Sequence, residues 1–168
     1  GKPFLIDNRP GGESVIGAEA AAREAPDGYS RYVGSGDAMA VNRFRFKSLS
    51  YDADKDFTPI ANIIDSAPFV VAVHPEVPAK TFQELISLAK SRPGQLSYGF
   101  ATGVADILGR WINKSAGVEL VRVPYRQNPQ AVQELLTGQI QVLVISWPSV
   151  EQFVKAGKLR VLAVSSAK

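Results

Sequence analysis

The chain contains no cysteine and only one histidine. Without cysteine there is no disulfide, no thiolate nucleophile and no cysteine-held metal. A Ser-His-Asp triad would have to use His74, which stands at a strand end before Pro75, and no Gly-x-Ser-x-Gly elbow accompanies any serine. A phosphate loop of the GxxxxGK type is missing too: Gly12 and Gly17 have the spacing, but Ala18 occupies the place of the lysine. The longest apolar runs, Phe69–Val73 and Val142–Ile145, have the length of core strands, far short of the roughly 20 residues of a membrane span. Carboxylates cluster only at Asp52, Asp54 and Asp56. That spacing opens like a calcium loop but lacks the glycine and the closing glutamate, so it reads as a solvated turn. No catalytic residue, metal or cofactor is expected.

The formal charge is +3 over 168 residues, a balance that suits a solvated surface better than a nucleic-acid face. The run Arg43-Phe44-Arg45-Phe46-Lys47 interleaves bases and aromatics, but five residues at a helix end read as an ordinary amphipathic segment. Gly34-Ser35-Gly36 follows a strand-like stretch in the manner of a dinucleotide fingerprint. Its third glycine position is Met39, so a nucleotide-dependent enzyme is kept only as an alternative.

What the chain does have is a rhythm. Short apolar strands are expected at Gln95–Phe100, Glu119–Val123, Gln139–Ser146 and Leu159–Ser165, separated by helices beginning near Gly103, Asn128 and Pro148. Such alternation predicts βαβ units and a mostly parallel sheet. Thr81 and Glu84 form a capping box before the helix Phe82–Ser91. The next helix carries an apolar stripe, Val104, Ile107, Leu108, Trp111 and Ile112, and Gly117 lies just past its end. Asn128 is read as an N-cap with Pro129 after it, and Val150, Phe153 and Val154 as the buried face of the last helix. Further strands are expected at Ile60–Ile64 and Phe69–His74, broken at Ser66–Pro68. Earlier in the chain, Pro3–Asn8 and Tyr29–Val33 read as strands around an Ala-rich helix, Ser14–Ala25, with a short helix at Ala38–Phe46. The polar stretch Ser48–Pro59 reads as a connector between two lobes, residues 1–57 and 58–168, the latter with a closing strand that crosses back.

Four turns follow a strand and open a helix, Gly34–Asp37, Ala101–Gly103, Tyr125–Asn128 and Ser146–Pro148, with Ser35, Thr102 and Ser146 as hydroxyl donors. In a parallel sheet three of them come to one edge, where helix N-termini favour anions. Well-capped turns with no ligand remain the alternative at this point.

Five stretches carry a resemblance: Asp7-Asn8-Arg9-Pro10-Gly11; Ala25-Pro26-Asp27-Gly28-Tyr29; Tyr51-Asp52 with Lys55-Asp56-Phe57-Thr58-Pro59; Val123-Pro124-Tyr125-Arg126; and Ala156-Gly157-Lys158-Leu159-Arg160 with Leu162-Ala163-Val164. Their order and spacing resemble the periplasmic solute-binding proteins of tripartite tricarboxylate transporters, the Bug family. The resemblance implies an α/β, type II periplasmic-binding-protein fold of the Venus-flytrap kind with an incomplete first lobe. It further implies a binding protein rather than an enzyme, a small carboxylate as ligand, and membrane permease subunits as partners. The ligand residues it implies are Ser35, Gly36, Asp37, Ala101, Thr102, Gly103, Tyr125, Arg126 and Ser146. The family's first strand and glycine-rich loop are expected upstream of Gly1, and its C-terminal portion downstream of Lys168. No signal peptide is read in the 168 residues. The family's Gly-Asn-Gly loop and His-Leu pair are altered here around Gly99–Asp106, and Asp37 and Asp106 would repel an anion unless turned away. Self-association through exposed sheet edges is the competing expectation.

Overall fold

The structure is a computed structural model, and it describes residues 3–63 and 67–166. Two compact units divide the chain, Gly1–Ile63 and Ile64–Lys168.

The second unit is built on a five-stranded sheet in the order β3-β2-β4-β1-β5. Its strands are β1 (Phe69–Val73), β2 (Ser97–Phe100), β3 (Val121–Pro124), β4 (Val142–Ser146) and β5 (Arg160–Val164). β2 pairs in parallel with both β3 and β4, whereas β1 runs antiparallel to both β4 and β5. Four strands therefore point one way, and the single reversed strand makes both antiparallel ladders. The sheet is mostly parallel in direction but mixed in pairing. The ladder explains the apolar runs, because residues alternate between two covered faces. Val71, Val73, Val142 and Val144 pack with Leu85 and Ala89 of α3 (Phe82–Ser91) and with Ala105 and Ile112 of α4 (Gly103–Ala116). Val70, Ala72, Leu143 and Ile145 pack on the other face with Ala131, Val132 and Leu135 of α5 (Asn128–Leu136), and with Val150 at the approach to α6 (Glu151–Lys155).

Local chemistry sets the helix ends. The Thr81 hydroxyl accepts from the Glu84 amide at 3.2 Å, while the Glu84 carboxylate reaches back to the Lys80 amide, one residue beyond the Thr81 amide of the expected reciprocal bond. Gly117 closes α4 with φ +62, the left-handed geometry that an L side chain resists. At Gly109 an added Cβ would lie 2.1 Å from the Tyr98 ring, so α4 rests on that ring only because the side chain is missing. Three details depart from expectation. α5 starts at Asn128 with Gln127 as its uncapped N-cap, so Asn128 is not the cap. Pro148 sits in a 3-10 turn, Trp147–Ser149, ahead of α6. Within the α4 stripe, Leu108 and Ile112 face the core, but Ile107 and Trp111 are exposed.

The first unit is a small helical cluster. α1 (Val15–Ala22) and a π-helical turn (Asp37–Val41) leading into α2 (Asn42–Arg45) pack Ala18, Ala38 and Tyr51 against Tyr32, Met39, Leu49 and Phe57. The Tyr51 hydroxyl donates to the Ala38 carbonyl at 2.7 Å. The strands expected at Pro3–Asn8, Tyr29–Val33 and Ile60–Ile64 do not pair among the described residues, and Ile64 and Ser66 lie outside them. A strand exists only through its neighbour's hydrogen bonds. These stretches stay unpaired, with Leu5 96% and Tyr29 81% exposed. α1 is also shorter than the expected Ser14–Ala25: Gly11, Gly12, Glu13 and Ser14 form a run of positive φ before it, and it ends at Ala22 with Arg23 as its C-cap. Glu13 is held there by Asn42, whose amide donates to its carbonyl at 2.9 Å, and by Arg45, which pairs with its carboxylate.

Candidate functional site

Parallel pairing brings the carboxyl ends of β2, β3 and β4 to one edge of the second unit. Phe100 stands opposite Pro124, and Gly99 opposite Leu143, so the turns after the three strands form a common rim. Backbone bonds fix them there. The Tyr125 amide donates to the Phe100 carbonyl at 2.8 Å, tying the β3–α5 turn to the end of β2. The Trp147 amide donates to the Pro68 carbonyl at 2.9 Å, beside the pairing of Phe69 with Ser146. Side chains then join two of the turns. Ser146 Oγ lies 3.1 Å from Ser149 Oγ, and the Asn128 amide reaches the same Ser149 oxygen at 3.5 Å.

The three turns differ in what they can offer an anion. At α4 the Thr102 hydroxyl accepts from the Ala105 amide at 3.3 Å, so this helix caps itself. α5 has no side-chain cap, and the positive end of its dipole opens onto the cluster of Asn128, Ser146 and Ser149, with Arg126 two residues ahead of the helix in the chain. Arg126 is exposed and has no ion-pair partner among the described residues. The arrangement suits a carboxylate, which can accept from a guanidinium, hydroxyls and backbone amides together.

Of the residues read from the sequence, Ala101, Thr102, Gly103, Tyr125, Arg126 and Ser146 all lie along this rim. The Tyr125 hydroxyl, however, donates to Glu134 Oε2 at 2.6 Å on α5. Burial, with Glu134 adding to it, pushes that hydroxyl's pKa up, so Tyr125 braces the turn as a neutral donor. Its ring packs over Gly99, where an added Cβ would approach it to 2.9 Å. Ser35, Gly36 and Asp37 belong to the first unit, where Ser35 Oγ accepts from the Ala38 amide at 3.3 Å and stands 3.4 Å from Ser14 Oγ. Ser149 is not among the residues the sequence singles out, and Asn128 is read there as a cap and as the end of a rim turn, not as a ligand group. The signal for Ser149 is slight, a serine directly after the Pro148 that opens a turn.

Asp106, a feared repulsive charge, is turned inward. It is buried beneath α4, accepts from Arg122 at 2.8 and 2.9 Å and from Arg110 at 3.0 Å, and meets the Tyr98 hydroxyl at 3.3 Å. Burial pushes the Tyr98 hydroxyl up, and the Asp106 charge adds to this. The Arg122 guanidinium also stacks 5.2 Å over the Phe100 ring. The Asp52–Asp56 cluster is likewise spoken for: Asp52 pairs with Lys55, and Asp54 pairs with Arg43. No group of three or more metal-ligating side chains exists among the described residues. A concavity of about 500 Å³, lined by His74, Gln133, Leu136, Thr137, Phe153 and Lys158, lies at the opposite end of the sheet from the rim. There the C-terminal ends of α5 and α6 disfavour an anion.

Comparison with known proteins points the same way. The family described as tripartite tricarboxylate transporter family receptor matches residues 1–168. A UPF0065 protein of Bordetella bronchiseptica is 32% identical over 167 residues, 99% of this chain and 50% of that protein. BugT of Bordetella pertussis is 31% identical over 170 residues, 99% of this chain and 52% of BugT. The chain spans about half the length of the curated relatives it matches. Among solved structures, one described as a periplasmic transporter superposes with a TM-score of 0.89 at 37% identity, over 99% of this chain and 56% of that one. An R. palustris protein solved with adipate gives 0.89 at 31% identity, over 98% and 56%. MatC from Rhodopseudomonas palustris, solved with malate, gives 0.82 at 25%, over 99% and 57%. The chain belongs to the tripartite tricarboxylate transporter family receptors, the TctC or Bug family.

Proposed function

We propose that this chain is the capturing part of a periplasmic solute-binding protein, and that it takes up a small mono- or dicarboxylate and hands it to the membrane permease subunits of a tripartite tricarboxylate-type transporter. It binds and releases without catalysing a reaction. The observation that carries the proposal is the shared rim, where the uncapped start of α5 meets Asn128, Ser146 and Ser149. A helix terminus contributes about 0.3–1 kcal/mol to an exposed anion, and each hydrogen bond to a charged group about 1.5–3 kcal/mol. The part of Ser35, Gly36 and Asp37 in ligand capture is proposed on the family resemblance. Relatives solved with adipate and malate support the ligand class.

Thermal-shift screening of mono- and dicarboxylates, adipate and malate included, tests the reading. At least one is expected to stabilise the protein, and Asn128→Ala combined with Ser146→Ala is expected to weaken its binding by about a hundredfold or more, about 3 kcal/mol for two lost hydrogen bonds to a charged group. Stabilisation by none of them would overturn it.

A second reading, association of copies through sheet edges, is favoured by the edge strands β3 and β5, β3 beginning at exposed Val121 and β5 ending at exposed Val164. Light scattering tests it: a strictly monomeric chain at high concentration would refute it.

A further inference from the structure

The apolar stripe on α4 is wider than the core requires. Leu108 and Ile112 pack inward, whereas Ile107 is 45% and Trp111 65% exposed. One turn apart, these two side chains share the solvent face of the helix. An isolated exposed hydrophobe means little, but a tryptophan beside an aliphatic neighbour is the composition of a binding hot spot. The exposed charges on α4 itself, Arg110 and Lys114, are both basic. Lys114, on the same face, has no ion-pair partner among the described residues. Arg110 and Arg122 share the single carboxylate of Asp106, which leaves one positive charge uncompensated. Asp106 is the only carboxylate on α4, and it is buried. The helix also begins at the rim, so Ile107 and Trp111 lie about 6 and 12 Å along it from the proposed ligand turns.

We propose that Ile107, Trp111 and Lys114 form a docking face for an acidic, partly apolar surface on the transporter's membrane subunits, placed so that the partner sits beside the rim where ligand is released. The proposal rests on the transport reading. Apolar contact supplies the affinity, and the basic border speeds encounter and makes it sensitive to salt.

The test uses the full natural chain with Ile107→Ser, Trp111→Ser and Lys114→Glu variants. Binding is measured to vesicles carrying the cognate membrane subunits and to protein-free vesicles of the same anionic lipid, with calorimetry of carboxylate binding alongside. The expected result is binding to the subunit-bearing vesicles only, weakened about tenfold or more in each variant, with carboxylate affinity unchanged. Raising the salt should weaken the unaltered protein most and Lys114→Glu least. Docking equal to wild type in the variants, no docking by the unaltered protein, or equal binding to bare lipid would overturn the proposal. So would light scattering that shows a dimer broken by Trp111→Ser. Loss of carboxylate binding in the unaltered protein would instead strike the transport reading, independently of what the vesicles show.

Discussion

Individual residues show how closely this chain balances charge and space. Asp106 is buried while the guanidiniums that neutralise it are half exposed. Removing it with Asp106→Ala leaves two arginines facing each other, and chemical denaturation should show a loss of about 3 kcal/mol, the lower end of the range for breaking a buried pair because both arginines reach solvent. A loss below half a kcal/mol would mean that the network is ornamental. Gly109→Ala should be costly in another way, since the new methyl meets the buried Tyr98 ring: overpacking of this kind destabilises by about 1–3 kcal/mol, readable as a lower urea midpoint. The tyrosines set the response to alkali. Tyr98 and Tyr125 both have pKa values above their ordinary 10.0 in the folded protein, Tyr125 through burial first and Glu134 second. The folded state therefore holds these protons more tightly. The stability they contribute is complete below about pH 10 and is lost as pH rises through the folded values. Urea unfolding across pH 9–12 should show that fall, with a shallower slope in Tyr125→Phe. An unchanged slope in that variant would contradict the assignment.

At the scale of elements, most of the second unit was legible because its signals are local. The Thr81 cap, Gly117, the 3.6-residue stripes and the short apolar runs each declare themselves within a few residues. Direction does not. A strand buried on both faces reads the same whichever way it runs, so nothing within Phe69–Val73 announces the reversal of β1. Pairing is equally non-local, which is why Pro3–Asn8 and Tyr29–Val33 look like strands and yet stay unpaired. The rim followed from the alternation alone, but the contact of Asn128 and Ser146 with Ser149 depends on two turns meeting across β2. The apolar stripe of α4 misled for a related reason: periodicity counts hydrophobes without saying which of them the core takes. Capping gives this scale its own prediction. Thr102→Ala removes the hydroxyl that satisfies the Ala105 amide and should lower stability by about 1 kcal/mol. Its amide exchange should quicken in the first turn of α4 while α5 is unaffected. Equal acceleration in both helices would show that the cap is not the cause.

The whole molecule joins two units of unequal build. In the second, a sheet is covered by helices on both faces, with a double set of buried side chains. In the first, a cluster of three buried hydrophobic residues and a few half-buried ones holds together short helices and extended chain, with aromatic contacts such as Tyr32 with Phe57 at 5.5 Å. Burial of this kind scales with the apolar area removed from water, so the first unit should open first. Hydrogen exchange should show residues 3–63 exchanging well before the strands of the second unit, and a single cooperative opening of both would contradict the difference in core. Ligand capture, by contrast, is assigned to the rim of the better-built unit. The most direct test is a nitrogen–proton correlation spectrum recorded during titration with a dicarboxylate such as adipate. The account predicts that shifts concentrate at residues 101–103, 125–128 and 146–149. Shifts centred instead around His74, Thr137 and Lys158 at the opposite end of the sheet, or no shifts at all, would contradict it.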